Sequence, residues 1–410
     1  MLELLQIPWP LPFHLSQRLA DYSWPALISS VTLFYLGLVW LLRFRNVRKL
    51  QATYASYLHD PYTLDYKTAH EIMKLSMLRE FPWMFFFGTT WALVKTYGIA
   101  SGTPLLVQTR QLTTETKVGK RAEDTGVFIQ EFIIGSADSE RGMRALSKVN
   151  WLHRRYGSKI GNGEMIHTLA MFVLEPQRWI EKHEWRAMTG LEKVAAFIYW
   201  KEIGNRMGIK DIPETLAELE DWTEDFENEH MVYTESNRIC AETTINLYLR
   251  NVPRSLRNFA RTLVTSLLEE RVRLAIGSPQ PPLWAHRLVI SFLRLRAWLI
   301  RYFFLPRLHE VDVMSRPGPD GRLRRDLYAF EPWYVKATMW KRLATWLQTG
   351  GRLQPCPEFK SNGYLPEELG PVEYEKVSKD PVLKEAEAMS MYVAKGGAVG
   401  IGCPFAFGDS

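Results

Sequence analysis

The chain predicts an all-α protein. Apolar residues recur at spacings of three and four along most of its length, alternating β-branched runs are scarce, and one long uncharged stretch near the N-terminus stands apart. Its 410 residues are 46% hydrophobic and 13% aromatic, enough for a sizeable core and too much for a disordered or collagen-like chain. With 51 basic against 45 acidic residues the net charge is +6, spread along the chain rather than gathered into a basic arm. That distribution suits a membrane surface better than duplex nucleic acid, so no nucleic-acid partner is expected. Cys240, Cys356 and Cys403 are too few and too irregularly spaced for a disulfide framework or a thiolate zinc site.

Taken in order, residues 1–21 form a short N-terminal segment, and residues 22–42 carry no formal charge. A bilayer core takes roughly 20 apolar helical residues, so this run predicts one transmembrane anchor. Arg43, Arg45, Arg48 and Lys49 follow it directly, whereas a cleaved signal peptide carries its basic residues ahead of a shorter run. The same cluster places the body of the protein in the cytosol. None of the ten asparagines lies in an Asn-x-Ser/Thr sequon, which agrees with that side. Residues 43–305 read as a helical domain. Within it, the uncharged residues 81–94 are too few to cross a bilayer and predict a buried helix. Residues 283–305 place Arg287, Arg294 and Arg301 every seven positions among Leu, Trp, Ile and Phe. That pattern suits a helix in the headgroup plane and a core helix with outward arginines equally. Proline plus glycine then rises from 28 of the first 305 positions to 21 of the last 105, predicting a loop-rich C-terminal extension, 306–410, with one helix near 334–347.

Two constellations carry possible chemistry. In a helix beginning near Lys120, the residues Arg121, Asp124, Thr125 and Phe128 recur at three and four, grouping a cation, an acid and a hydroxyl. The next helix opens after Ser136-Ala-Asp-Ser139 and closes at Gly157, and on it His153 shares a face with Leu146, Val149 and Asn150. A histidine on a mostly apolar helical face is more often a core residue than a ligand, and spacing alone leaves both open. A neutral imidazole in an apolar wall is nevertheless what a b-type haem takes as proximal ligand, and Arg154 and Arg155 beside it could meet its propionates. The second constellation is the pair Glu164-Met-Ile-His167 and Glu227-Asn-Glu-His230, the Glu-x-x-His motifs of a di-iron carboxylate bundle. Glutamate is common enough here for chance to supply two such pairs. No GxSxG, P-loop, HExxH or strand-borne GxGxxG occurs, so hydrolase, kinase and nicotinamide-dehydrogenase readings have no footing.

Further segments carry a family resemblance. The anchor with its basic cluster, Glu80-Phe-Pro-Trp-Met-Phe85, Lys95-Thr-Tyr-Gly-Ile99, Lys120-Arg-Ala-Glu-Asp-Thr125, Trp151-Leu-His153, His167-Thr-Leu-Ala-Met-Phe172, Glu184-Trp-Arg186 and Cys403-Pro-Phe405 resemble the fungal ER-bound oxygenases of the mycophenolic acid pathway type, the MpaB-like family. The similarity runs the full length. That family shares its catalytic domain with the rubber oxygenases, or latex clearing proteins, which are all-α, globin-like haem proteins that cleave the double bonds of polyisoprene with dioxygen. The resemblance implies haem b with its iron held by His153, dioxygen as co-substrate, and Arg121 and Thr125 as the polar pair of the pocket. Asp124 departs from the pattern, because rubber enzymes can carry a lysine there; a carboxylate in its place could relay protons or bind water. The implied function is oxidative cleavage of a C=C bond in the prenyl side chain of a lipophilic secondary metabolite such as a meroterpenoid. The implied location is the endoplasmic reticulum membrane, single-pass, with the catalytic domain facing the cytosol and membrane lipid as a partner. Two alternatives stand beside it: a di-iron oxygenase using Glu164/His167 and Glu227/His230, and a non-enzymatic, membrane-tethered lipid-binding protein.

Overall fold

The computed structural model describes residues 24–396; the segment 1–21, the opening Tyr22-Ser23 of the apolar run and the terminal Cys403-Pro-Phe405 lie outside the described residues. The chain is all-α. In order come α1 (Trp24–Leu42), α2 (Arg45–Thr53), α3 (Tyr66–Leu75), α4 (Pro82–Thr96), α5 (Thr103–Thr109), α6 (Glu115–Phe128), α7 (Glu140–Arg154) and α8 (Asn162–His183). There follow α9 (Gly190–Arg206), α10 (Leu216–His230), α11 (Glu235–Tyr248), α12 (Arg257–Thr265), α13 (Glu270–Ala275), α14 (Leu283–Phe303), α15 (Met339–Thr349) and α16 (Lys379–Ala394). Among the described residues, paired strands are confined to one short hairpin joining Arg316–Pro317 to Leu323–Arg324.

Polar caps set where the helices begin. Asp65 accepts from the first backbone N–H groups of α3, Ser139 does so for α7, and Thr189 with Glu192 forms a reciprocal capping box on α9. Helices α3 and α6 both run on into a π-helical turn, Ser76–Glu80 and Ile129–Ile134, an irregularity often found beside functional sites.

The core forms where α4 lies along α8. Gly88 makes that approach possible, because a Cβ there would stand 2.6 Å from the Cα of Pro176 on α8. The stretch 81–94 is thus the buried helix its length predicts, with Met84, Phe85, Ala92 and Val94 inside. Helix α9 covers α3 and α8, adding Phe197, Tyr199 and Ile203 to the same cluster. Buried charge is paired throughout this region: Arg206, wholly buried, reaches Glu202 at 2.8 Å and Asp138 at 2.7 Å, and Arg186 lies between Glu80 and Glu192.

The C-terminal stretch wraps the helical body as loops, as its Pro/Gly content predicts, and α15 begins at Met339, five residues later than the helix expected near 334–347. Helix α16 was not legible from composition. It buries Val382, Ala386, Met389 and Tyr392 along one stripe, and its proline, Pro381, sits in the first turn where a missing N–H costs nothing. Helix α1 is the opposite case, exposed along nearly its whole length with only Val39 buried. It is long and apolar enough to cross a membrane.

Candidate active site

A cavity of about 530 Å³ opens between α4, α5, α6, α8 and α11, within the usual range for a small-molecule site. Phe86, Leu93, Leu106, Ile129, Met165 and Leu247 make most of its wall apolar. Onto that wall the fold brings Arg121, Thr125 and His153 together. Arg121 and Thr125 are one turn apart on α6, and His153 lies in the last turn of α7.

Geometry limits what each group can do. The Thr125 hydroxyl donates to the carbonyl of Arg121 at 2.9 Å and accepts from the Arg121 guanidinium at 2.8 Å. It is therefore committed to holding the arginine. The guanidinium has no carboxylate partner among the described residues, so a half-buried cation faces the cavity with donors to spare. His153 keeps some surface toward the cavity while protein packs closely around it, and its buried Nδ1 has no hydrogen-bond partner. Burial, with the nearby Arg121 and Arg154 cations, pulls its pKa down to about 4. The imidazole is neutral at physiological pH, the form a metal takes as ligand. Gln130, in the π-helical turn, adds a buried and unpartnered Oε1 to the same wall.

Three of the candidates fall elsewhere, Asp124, Arg154 and Arg155. Asp124 does not line the cavity: it accepts from Lys120 Nζ at 2.7 Å, from the Tyr334 hydroxyl at 2.6 Å and from the Gly370 N–H at 3.1 Å. Neighbours on a helix diverge by about 100°, so when Thr125 faces the cavity Asp124 turns to the C-terminal wrap. The carboxylate expected to relay protons is thus hydrogen-bonded into the C-terminal wrap, away from the cavity. Arg154 and Arg155 also point away, because they end α7 at the surface. Arg154 pairs with Glu385 of α16, and the Arg155 guanidinium lies 4.9 Å from the Trp151 ring centre and 4.2 Å from that of Tyr374.

The di-iron constellation does not assemble. His167 Nε2 is 3.2 Å from Glu227, but Lys95 holds the centre of that cluster, 3.3 Å from Glu227, 3.2 Å from Glu175 and 3.0 Å from Glu269. His230 instead stacks on Phe226 at 4.2 Å between ring centres. Glu164, in the first turn of α8, and His167 both line the same cavity as His153, but no group of three or more His, Cys, Asp or Glu among the described residues is placed to hold a metal ion.

Sequence reasoning missed one wall of the cavity. Arg325, Leu327, Tyr328, Ala329 and Phe330 close it from the C-terminal wrap. Glu123 on α6 holds this strap, its Oε1 accepting from the N–H groups of Ala329 at 2.9 Å, Phe330 at 2.5 Å and Glu331 at 3.1 Å, while Oε2 accepts from Arg325. No periodicity marks a strap, and a lone glutamate in a polar helix gives no sign that it accepts four hydrogen bonds.

The all-α scaffold and its cavity define the class as a helical protein with a largely apolar, histidine-bearing cavity among its helices. Residues 76–302 match the family described as ER-bound oxygenase mpaB/B'/rubber oxygenase, catalytic domain, and the chain belongs to that family. It is 30% identical to the ER-bound oxygenase mpaB' of Penicillium brevicompactum over 324 residues, 72% of this chain and 75% of that protein. It is 29% identical to the ER-bound oxygenase mpaB of the same organism, over 64% of this chain and 65% of that one. Similarity to the ER-bound oxygenase mpaB of Penicillium roqueforti is 27% identity over 62% of this chain and 90% of that protein. The protein is an oxygenase, an oxidoreductase that uses dioxygen.

Proposed function

We propose that the protein is a haem-dependent oxygenase, anchored by α1 in the endoplasmic reticulum membrane with its body in the cytosol, that cleaves a C=C bond in the prenyl side chain of a lipophilic secondary metabolite. The observation that carries this reading is His153, a neutral imidazole with an orphaned buried nitrogen on the wall of an apolar cavity of about 530 Å³. The residues present fit haem b: His153 would hold the iron, and the unpaired Arg121 guanidinium would meet a propionate or the negative charge that develops on oxygen. Haem, when bound, supplies the centre at which dioxygen is activated. Thr125 acts as a positioning residue that keeps Arg121 aimed at the cavity. The apolar walls from α4, α6 and α11 take up an olefinic chain and exclude water from the reacting bond. A membrane anchor suits such a substrate, because prenyl chains partition into bilayers and reach the protein from there.

The test is the absorbance of the purified full chain. The wild type should show a Soret band and a pyridine haemochrome of b type, His153→Ala should lose both, and His167→Ala and His230→Ala should keep them. A normal haem spectrum in His153→Ala would sink the assignment of the ligand, and a wild type free of haem and metal would favour a lipid carrier. Protease added to intact microsomes should digest the body and spare a short anchor fragment.

A further inference from the structure

Helix α14 leaves one face uncovered along its full length. Trp284, Leu288, Phe292, Leu295, Trp298 and Tyr302 recur at three and four along it, and all are exposed, Phe292 by 61%. The opposite side packs inward through Val289, Leu293 and Ile300 against Phe81, Ile180 and Trp185, and Ala285 is buried. A stripe of this length on a water-facing helix costs solvation free energy along its whole extent, and large exposed apolar patches mark binding surfaces.

Three further observations say what covers it. First, α14 is tied to the anchor: the Tyr35 hydroxyl donates to the carbonyl of Phe303 at 2.8 Å, and Arg43 donates to the carbonyls of Phe304 and Leu305, each at 3.3 Å. Tyr35 lies seven residues before Leu42, about 10 Å along the helix axis, so Phe303 stands level with a part of α1 that is inside the apolar span. Second, α14 contains no acidic residue, and Arg287, Arg294 and Arg301 run along one edge of the apolar stripe. Arg287 and Arg294 form no ion pair among the described residues. Third, the stripe continues onto α12, where Phe259, itself exposed, stacks on Trp284 at 5.7 Å.

We propose that α14 lies in the cytosolic headgroup layer of the bilayer that α1 crosses, with its aromatic and aliphatic stripe in the acyl boundary and its arginine edge on anionic headgroups. The proposal rests on the reading of α1 as a membrane anchor. An apolar face beside a cationic edge is the signature of an interfacial helix, and Trp and Tyr favour that depth. Two attachments, one spanning and one lying flat, would fix the tilt of the catalytic body and hold it against the surface from which a lipophilic substrate arrives.

The full chain, with Cys356→Ser and Cys403→Ser, would be labelled with a nitroxide at Leu288→Cys, Phe292→Cys or Leu295→Cys and reconstituted in phosphatidylcholine vesicles with and without phosphatidylserine. Val31→Cys in α1 and Met391→Cys on α16 serve as lipid and water references. The expected result is a several-fold higher ratio of oxygen to nickel-chelate accessibility at the three α14 sites than at Met391→Cys. Adding Arg287→Glu and Arg294→Glu should shift these sites toward water in vesicles containing phosphatidylserine. Aqueous readings on α14 with a lipid reading at Val31→Cys would overturn the docking and leave the anchor standing. An aqueous reading at Val31→Cys would overturn the anchor and the docking with it. Low accessibility to both reagents on α14 would mean that protein, such as a second copy, covers the face, and would overturn the proposal.

Discussion

Helix α6 has two sides that treat polar groups in opposite ways. Toward the C-terminal wrap, Glu123 accepts four hydrogen bonds and Asp124 accepts from Lys120, Tyr334 and Gly370. Toward the cavity, Arg121 lacks a carboxylate, and on the same cavity's lining His153 and Gln130 each keep a buried atom without a partner. A saturated polar group is bound into the fold and has little left for a ligand, while an unsatisfied one carries a desolvation cost that a ligand relieves. Both sides carry polar and charged groups, and what separates them is saturation. Neighbouring side chains of similar polarity thus take different roles, and substitutions on the two sides should fail differently.

The largest effect is expected on the saturated side. Asp124→Ala leaves the Lys120 ammonium and the Tyr334 hydroxyl buried without their acceptor, which should cost about 3–5 kcal/mol of stability in urea melts. Turnover per folded, haem-loaded molecule should change little. A stable Asp124→Ala protein with lost turnover would return this carboxylate to the chemistry and break the contrast. On the cavity side, Arg121→Ala should reverse the pattern, with turnover down by roughly 10²–10³ and a small stability change, since the guanidinium forms no buried ion pair among the described residues. If haem content falls instead, its partner is a propionate. Thr125→Val should lower turnover by about tenfold through a misplaced Arg121, and Thr125→Ser, which keeps the hydroxyl, should restore it.

How far this contrast could be read in advance follows from what a helix reveals. Spacing brought Arg121 and Thr125 to one site because residues four apart differ by only about 40° around the axis. It also admitted Asp124, which does not line the cavity, because a stripe drawn through three and four residues is wide enough to include the adjoining face. The anchor-like α1 and the buried helix at 81–94 were legible from the length of their uncharged runs alone. The Glu-x-x-His pairs misled because sequence shows spacing but not that Lys95, some seventy residues upstream of His167, fills the space between the carboxylates. The strap at 325–330 and its tether to Glu123 depend on contacts about two hundred positions apart and leave no local pattern.

The smallest effect tests the unsatisfied side through protons. In the folded protein the His153 pKa is lowered to about 4 from an ordinary value of 6.5, mainly by burial. The unfolded chain therefore binds the proton first as pH falls. Stability from this group is intact above the unfolded value, declines as pH drops below 6.5, and is fully lost only below the folded value near 4. His153→Gln cannot titrate, so it should remove this part of the slope. His70, His167 and His183 are also lowered and contribute to the total, but they remain in both proteins and cancel in the difference. Urea melts of the two proteins, both prepared without haem, should therefore show a gap that shifts by about 1 kcal/mol between neutral pH and pH 5.5 in favour of His153→Gln. A gap independent of pH would mean that the cavity hydrates and protonates His153 freely, and that its wall is as solvated as the surface.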